Sequence, residues 1–263
     1  MKTILDFARA RRERKPIVML AAYDAQMARI VAESEADAIL VGDSVAMVVH
    51  GFPSTLHATM DMMVAHVAAV CRGAPNLVVV ADMPFVSVRR GKAAATEAAA
   101  RLMQAGATAV KLEGVRGHEE VFAHLIGSGI PVMGHLGLMP QAVNVVGGYR
   151  IQGRTDAEAE RLREEARTVE ECGAFAMVLE CVPAALAASI AAEREIPTIG
   201  IGAGRETAGQ VLVLADLLGY DARFRPSFVR RYVDGHGLVL DAINHFVRDV
   251  RTAGFPAETE VPA

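Results

Sequence analysis

The stretches AILVGDS (residues 38–44), LVVVADM (77–83), AVKLEG (109–114) and AMVLECV (176–182) run apolar and then meet an acid: Asp43, Asp82, the Lys111 and Glu113 pair, and Glu180. An acid at the exit of a buried strand costs desolvation energy, so a row of them points to a place that holds a cation or moves protons. Working outward, short runs rich in Val, Ile and Leu recur at 17–20, 38–41, 77–81, 109–112, 132–134, 177–179, 198–200 and 210–214. Between them lie Ala, Glu and Arg stretches of helical period at 25–35, 60–72, 92–104, 118–127, 156–172 and 184–194. That alternation is the signature of a parallel sheet with crossover helices. The strand runs lack polar alternation, which predicts burial on both faces. Eight such units, with no early G-x-G-x-x-G loop, predict an α/β fold: a single (βα)8 TIM-type barrel over an open doubly wound sheet. In either fold the catalytic groups gather at the carboxyl ends of the strands, where these acids stand.

At 263 residues the chain fits one barrel domain, 1–263,. A hydrophobic content of 52%, no Trp and a mean hydropathy of +0.28 predict large buried surfaces, part of them between subunits,. The net charge of -4, with Lys and Arg scattered, argues against a nucleic-acid or anionic-membrane footprint,. Cys71, Cys172 and Cys181 are widely spaced, without C-x-x-C pairs or a disulfide framework, which predicts a reducing compartment, the cytoplasm,. The leading MKTILDFARARRERK lacks the apolar core of a signal peptide, and no apolar run reaches the ~18 residues of a membrane span,. Two helices are predicted at 226–235 and 238–250, the second with Leu238, Ile243, Phe246, Val247 and Val250 on one face, followed by a flexible tail at 254–263,.

Asp43 and Asp82 leave neighbouring strands and offer hard oxygen ligands for an octahedral divalent cation, Mg2+ by default and Mn2+ as an alternative,. Glu113 is a third oxygen, direct or through water, whereas zinc would want grouped His or Cys. The bland alternative is that each aspartate caps the next turn. Lys111 shares a strand face with Glu113 and suits a substrate carboxylate; charge balance or Schiff-base chemistry are the other readings. Glu180 ends a strand with apolar walls, a setting that suits a general base, or else it caps the helix after Pro183. His135 exits its strand in line with the others and is placed to bond a substrate oxygen or orient a ligand,. Cys181 reads as packing rather than nucleophile. His50, His57 and His66 lack metal spacing and read as loop and helix-surface residues. Gly200 to Gly204 (GIGAG) reads as a weak phosphate-loop signal or a close-packed turn, and GGYRIQGR, 147–154, as an ordered loop over the mouth,.

Taken together, AYD at Tyr23 and Asp24, VGDS, RGAP (72–75), ADMPF, VKLEG, GHLGLMPQ (134–141), GGYRIQGR, LECVP, GIGAG and RFRPSFVRRY (223–232) resemble the ketopantoate hydroxymethyltransferase family nearly end to end. The resemblance implies a (βα)8 barrel and a homodecamer made of two pentamers. It implies Mg2+ on Asp43 and Asp82 with Glu113 close by, Ser44 and Lys111 on the keto acid, His135 lining the pocket and Glu180 as proton acceptor. The implied reaction moves the one-carbon unit of 5,10-methylenetetrahydrofolate to 3-methyl-2-oxobutanoate, giving 2-dehydropantoate in pantothenate biosynthesis. Asp43 and Asp82 would also meet the substrate, a small 2-oxo acid, with a reduced folate as second partner.

The chain departs from the family pattern at GLMPQA, where Met139 and Ala142 stand in place of two hydroxyl residues, and in the loop HGFPSTLHAT (50–59). Neither touches the metal and base positions. Two competing readings are a Mg2+-dependent carbon–carbon lyase of the phosphoenolpyruvate mutase and isocitrate lyase type, which would want a lid motif such as K-K-C-G-H, and a non-catalytic keto-acid-binding paralogue, which would be expected to lack Glu180.

Overall fold

The structure, a computed structural model, describes residues 1–223 and 225–260. Eight parallel strands close into a barrel in chain order: β1 (Ile17–Ala21), β2 (Ala38–Val41), β3 (Val78–Asp82), β4 (Ala109–Glu113), β5 (Val132–Gly137), β6 (Ala176–Glu180), β7 (Thr198–Ile201) and β8 (Gly209–Val213). Each predicted run falls on a strand. Helices α1 (Ile4–Glu13), α2 (Ala25–Glu33), α3 (Val45–Val48), α4 (Met60–Gly73), α5 (Lys92–Gln104), α6 (Glu119–Gly127), α7 (Val143–Val146), α8 (Asp156–Glu171) and α9 (Ala184–Glu193) accompany them. The chain then continues through α10 (Leu214–Leu218) and α11 (Gly235–Arg251) to a 3-10 turn at Glu258–Glu260. Contacts divide it into two compact units, Met1–Leu212 and Val213–Ala263.

Capping chemistry sets several helix starts. Asp24 accepts from the backbone N–H groups of Gln26 and Met27 at 2.8 and 2.9 Å, and Thr59 accepts from Met62,. Thr155 and Glu158 bond each other's backbone N–H groups at the head of α8, a reciprocal capping box,. The α1 helix was not anticipated from the periodicity, although Thr3 and Asp6 give it the same kind of start: Thr3 N donates to Asp6 Oδ2 at 2.6 Å.

Strands β2 through β6 are buried almost throughout, as their unbroken apolar runs predict. The expectation of two-sided burial fails for β1 and β8, where Val18 is 46% exposed and Gln210 is exposed. These two strands are covered on one face only. The predicted helix at 226–235 is instead turns and bends. Tyr232 N donates to Leu217 O, a partner outside the segment, and Val229 N closes a tight turn on Pro226 O. The next helix begins three residues ahead of the predicted start, because Asp234 accepts from Gly237 N and caps it. Of the predicted tail, 254–260 are described and 261–263 lie outside the described residues.

Register decides which side chains meet at the barrel's carboxyl end. Asp82 pairs with Lys111 across β3 and β4, Glu113 with His135 across β4 and β5, and Gly137 with Glu180 across β5 and β6. In a parallel pair, registered residues point to the same side, so four adjacent strand exits, β3 to β6, aim their polar side chains into one space,.

Candidate active site

Asp43, Asp82, Lys111, Glu113, His135 and Glu180 form one chain of contacts around the strand exits. Asp43 N donates to Asp82 Oδ2 at 3.1 Å. Lys111 Nζ lies 2.9 Å from Asp82 Oδ1 and 3.0 Å from His135 Nδ1. The other ring nitrogen, Nε2, is 3.1 Å from Glu180 Oε2, while Glu113 Oε1 approaches Nδ1 at 3.6 Å. Lys111 and Glu113 therefore do share a face, and the imidazole stands between them and Glu180. Pro183 starts α9 without a side-chain cap, so Glu180 is not spent as a capping group.

The chain passes close to itself here, and glycine makes that possible at two points. A Cβ on Gly42 would sit 2.8 Å from Ser44 Oγ and 3.4 Å from Asp82 Oδ2. Gly137 has φ +91° and would drive a Cβ to 2.2 Å from the Glu180 carbonyl oxygen,. Ser44 lies just after Asp43, and its Oγ is 2.8 Å from the Tyr23 hydroxyl.

Charge is unbalanced in this space. Burial raises the Asp43 carboxyl well above its ordinary range, and the neighbouring Asp82 and Glu113 add to that,. Burial works against the Lys111 ammonium, but Asp82, Glu113 and Asp43 outweigh it and hold the lysine firmly cationic. Burial and Lys111 likewise oppose a charge on His135, yet Glu113 and Glu180 lift its pKa to about 9. The 3.0 Å contact sets the tautomer against that trend. An ammonium only donates, so Nδ1 accepts and Nε2 carries the proton toward Glu180,. The neutral ring is the form compatible with a charged Lys111.

Three carboxylates, Asp43, Asp82 and Glu113, around the Lys111 ammonium suit a further small, hard, positive ion. Asp82 Oδ1 is buried and has no hydrogen-bond partner beyond its ion pair with Lys111. Among the described residues no group of three or more His, Cys, Asp or Glu side chains is arranged to hold a metal ion. The residues fit an ion held by two aspartates and completed by water or substrate oxygens, the habit of Mg2+. Glu113 is otherwise engaged, with Oε2 accepting from Gln141 N at 3.0 Å.

Gln141 and Tyr149 join the site without having been singled out. Gln141 Nε2 donates to Asp43 Oδ2 at 2.8 Å and to Met83 O at 3.0 Å. Tyr149, on the predicted mouth loop, donates from its hydroxyl to Met47 Sδ at 3.6 Å. Its hydroxyl is harder to ionise because of burial first, then Asp43, Glu180 and Glu113, so the ring lies within electrostatic reach of all three acids. That loop is tied down by Gln152 N donating to Cys181 O. The Cys181 thiol is pushed up to about 11 by burial and Glu180, which leaves it protonated and agrees with a packing role,. His50 and His66 meet through their Nε2 atoms at 2.9 Å, and His57 stacks on Phe52; none of them enters the acid cluster. Gly204 packs tightly on Ala184, the close-approach use of a glycine. No helix among the described residues is long and apolar enough to cross a membrane.

Known proteins agree with this architecture. Residues 1–258 match the family model described as ketopantoate hydroxymethyltransferase. The 3-methyl-2-oxobutanoate hydroxymethyltransferase of Bdellovibrio bacteriovorus is 50% identical over 260 residues, covering 99% of each chain. The Coxiella burnetii protein of the same name is 47% identical over 252 residues, 95% of each. Among solved structures, a 2,3-dimethylmalate lyase of the PEP mutase/isocitrate lyase superfamily superposes with a TM-score of 0.64 at 16% identity, over 98% of this chain and 87% of that one, a likeness of fold alone. On sequence over nearly its whole length, and with the barrel that its strand runs predict, the chain belongs to the ketopantoate hydroxymethyltransferase family.

Proposed function

We propose that this enzyme transfers a hydroxymethyl group from 5,10-methylenetetrahydrofolate to 3-methyl-2-oxobutanoate, yielding 2-dehydropantoate for pantothenate biosynthesis. The observation that carries the reading is the approach of Lys111 and Glu180 to opposite nitrogens of one imidazole, which puts a carboxylate-binding cation and a base on either side of a single ring. Asp43 and Asp82 would hold Mg2+, with Glu113 near it through water. When bound, Mg2+ supplies the positive charge that stabilises the enolate of a 2-oxo acid.

The chain's own residues divide the remaining work. Lys111 pairs with the substrate carboxylate, and the Ser44 hydroxyl, held by Tyr23, donates to a substrate oxygen. Glu180 removes the C3 proton, with the His135 Nε2–H facing that carboxylate from 3.1 Å,. The C3 carbon attacks the one-carbon unit, both carbon–nitrogen bonds that hold that carbon to the folate break, water supplies the hydroxyl group, and the two folate nitrogens take up the remaining water proton and the proton from C3. The lyase alternative is left with the shared barrel alone.

A homodecamer in the cytoplasm completes the reading. In its support, α11 leaves Leu238, Ile243 and Phe246 more than half exposed, an apolar face suited to another subunit, and the three cysteines are unpaired thiols,. The test incubates the protein with Mg2+ and [3-2H]-labelled 3-methyl-2-oxobutanoate without folate. Washout of deuterium that disappears in Glu180→Gln is the expected result; retained label in an enzyme that is active once folate is added rejects Glu180-driven enolisation.

A further inference from the structure

We propose that Gln141 is a positioning residue that holds the Asp43 carboxylate in place for the cation, an inference that rests on the metal reading above. Three hydrogen bonds carry it. The side-chain amide uses both its N–H groups on groups that only accept, the Asp43 carboxylate at 2.8 Å and the Met83 carbonyl at 3.0 Å,. That fixes which end of the amide faces the site. The backbone N–H of the same residue donates to Glu113 Oε2 at 3.0 Å. One residue, in the 3-10 turn Pro140–Ala142 after β5, thus ties down the exits of β2, β3 and β4.

Asp43 needs such a tie. It is buried, and Asp82 and Glu113 repel it, so an unrestrained carboxylate would turn away. A neutral donor satisfies one carboxylate oxygen while leaving its full charge for a cation. A lysine at this position would satisfy the same oxygen and cancel that charge. The turn itself is seated against β4's exit, where a Cβ on Gly114 would lie 3.1 Å from Met139 Sδ. The unusual Met139 thereby belongs to the platform that aims Gln141.

The experiment measures Mn2+ binding by loss of the free-ion electron paramagnetic resonance signal in wild type, Gln141→Leu and Gln141→Lys, with thermal unfolding of each metal-free protein alongside. Outer partners of metal ligands contribute about 10- to 100-fold in affinity, so Q141L is expected to bind Mn2+ at least about tenfold more weakly. Q141K, which preserves a donor to Asp43 and tests charge separately, is expected to lose binding while its unfolding midpoint stays near that of wild type. In the deuterium-washout assay, Q141L should need correspondingly more Mg2+ for half-maximal rate yet recover its rate at saturation. Unaltered Mn2+ affinity in Q141L or Q141K overturns the proposal alone, as does a lowered washout plateau with unchanged Mg2+ dependence. Absence of Mn2+ binding in the wild type overturns both the proposal and the metal reading beneath it.

Discussion

Lys111 Nζ rests 2.9 Å from Asp82 Oδ1, with the two side chains only 4% and 5% exposed. The β3–β4 register places them opposite each other, and Lys111 is the one fixed cation in the cluster formed with Asp43 and Glu113. Removing it leaves buried carboxylates without compensation. Lys111→Met should therefore lower the metal-free protein's unfolding free energy by about 3–5 kcal/mol in urea titrations, the range for a broken buried pair. A variant as stable as wild type would show that water already compensates these acids.

Glu180 occupies a different position in the energetics, because its side chain is 18% exposed and the His135 Nε2–H lies 3.1 Å away without an aligned hydrogen bond. A glutamine there still offers an oxygen to that N–H. Glu180→Gln is expected to keep the wild-type melting temperature and KM for the keto acid while kcat falls roughly 10^2- to 10^4-fold, the usual weight of a general base. A loss of stability in step with activity would make Glu180 a structural residue.

Backbone geometry next to that base gives a third test. At Gly137 a Cβ would meet the Glu180 carbonyl oxygen at 2.2 Å and Val182 Cγ2 at 2.6 Å, and φ is +91°. A carbonyl in the adjoining strand cannot yield without moving Glu180. Gly137→Ala should cost at least about 2 kcal/mol and depress kcat as well. Gly147→Ala serves as control: its φ is +73° but nothing lies within 4 Å, so only the conformational cost of about 1–2 kcal/mol applies,. Equal losses at the two glycines would refute the steric account.

What could be read in advance follows from where the determinants lie along the chain. Strands β2 to β6 were legible because a barrel strand buried on both faces must be an unbroken apolar run, and the six charged or titratable site residues because each sits at or near such a run's end. Gln141 was not, since its meaning comes from a hydrogen bond to Asp43, 98 positions away. Tyr23 and Ser44 were each visible as part of a motif, but the 2.8 Å contact between their hydroxyls was not. The stretch 226–235 looked helical by composition, and a long-range hydrogen bond from Tyr232 N to Leu217 O overrode that preference,. Helix α1 was the reverse case: the Thr3 and Asp6 signal stood in the sequence, at a terminus read only for targeting.

His118 gives a pH dependence whose sign can be worked out. The residue precedes α6, is buried, packs its ring on Phe122 with centroids 5.4 Å apart, and has an Nε2 without a hydrogen-bond partner. Burial and then Arg89 lower its pKa below the ordinary 6.5, with the Arg116 carbonyl at 3.3 Å and Glu119 opposing only in part. On acidification the unfolded chain therefore takes this proton before the folded one does, so the group subtracts stability as pH falls through 6.5 and stops subtracting below its folded value. His118→Gln, which does not titrate, should flatten the fall in unfolding free energy between neutral and mildly acidic pH, measured by urea titration at each pH. If the variant's pH profile steepens instead, the folded imidazole must be holding a proton that its surroundings favour, and the burial of Nε2 would have to be compensated by an acceptor reaching it in solution.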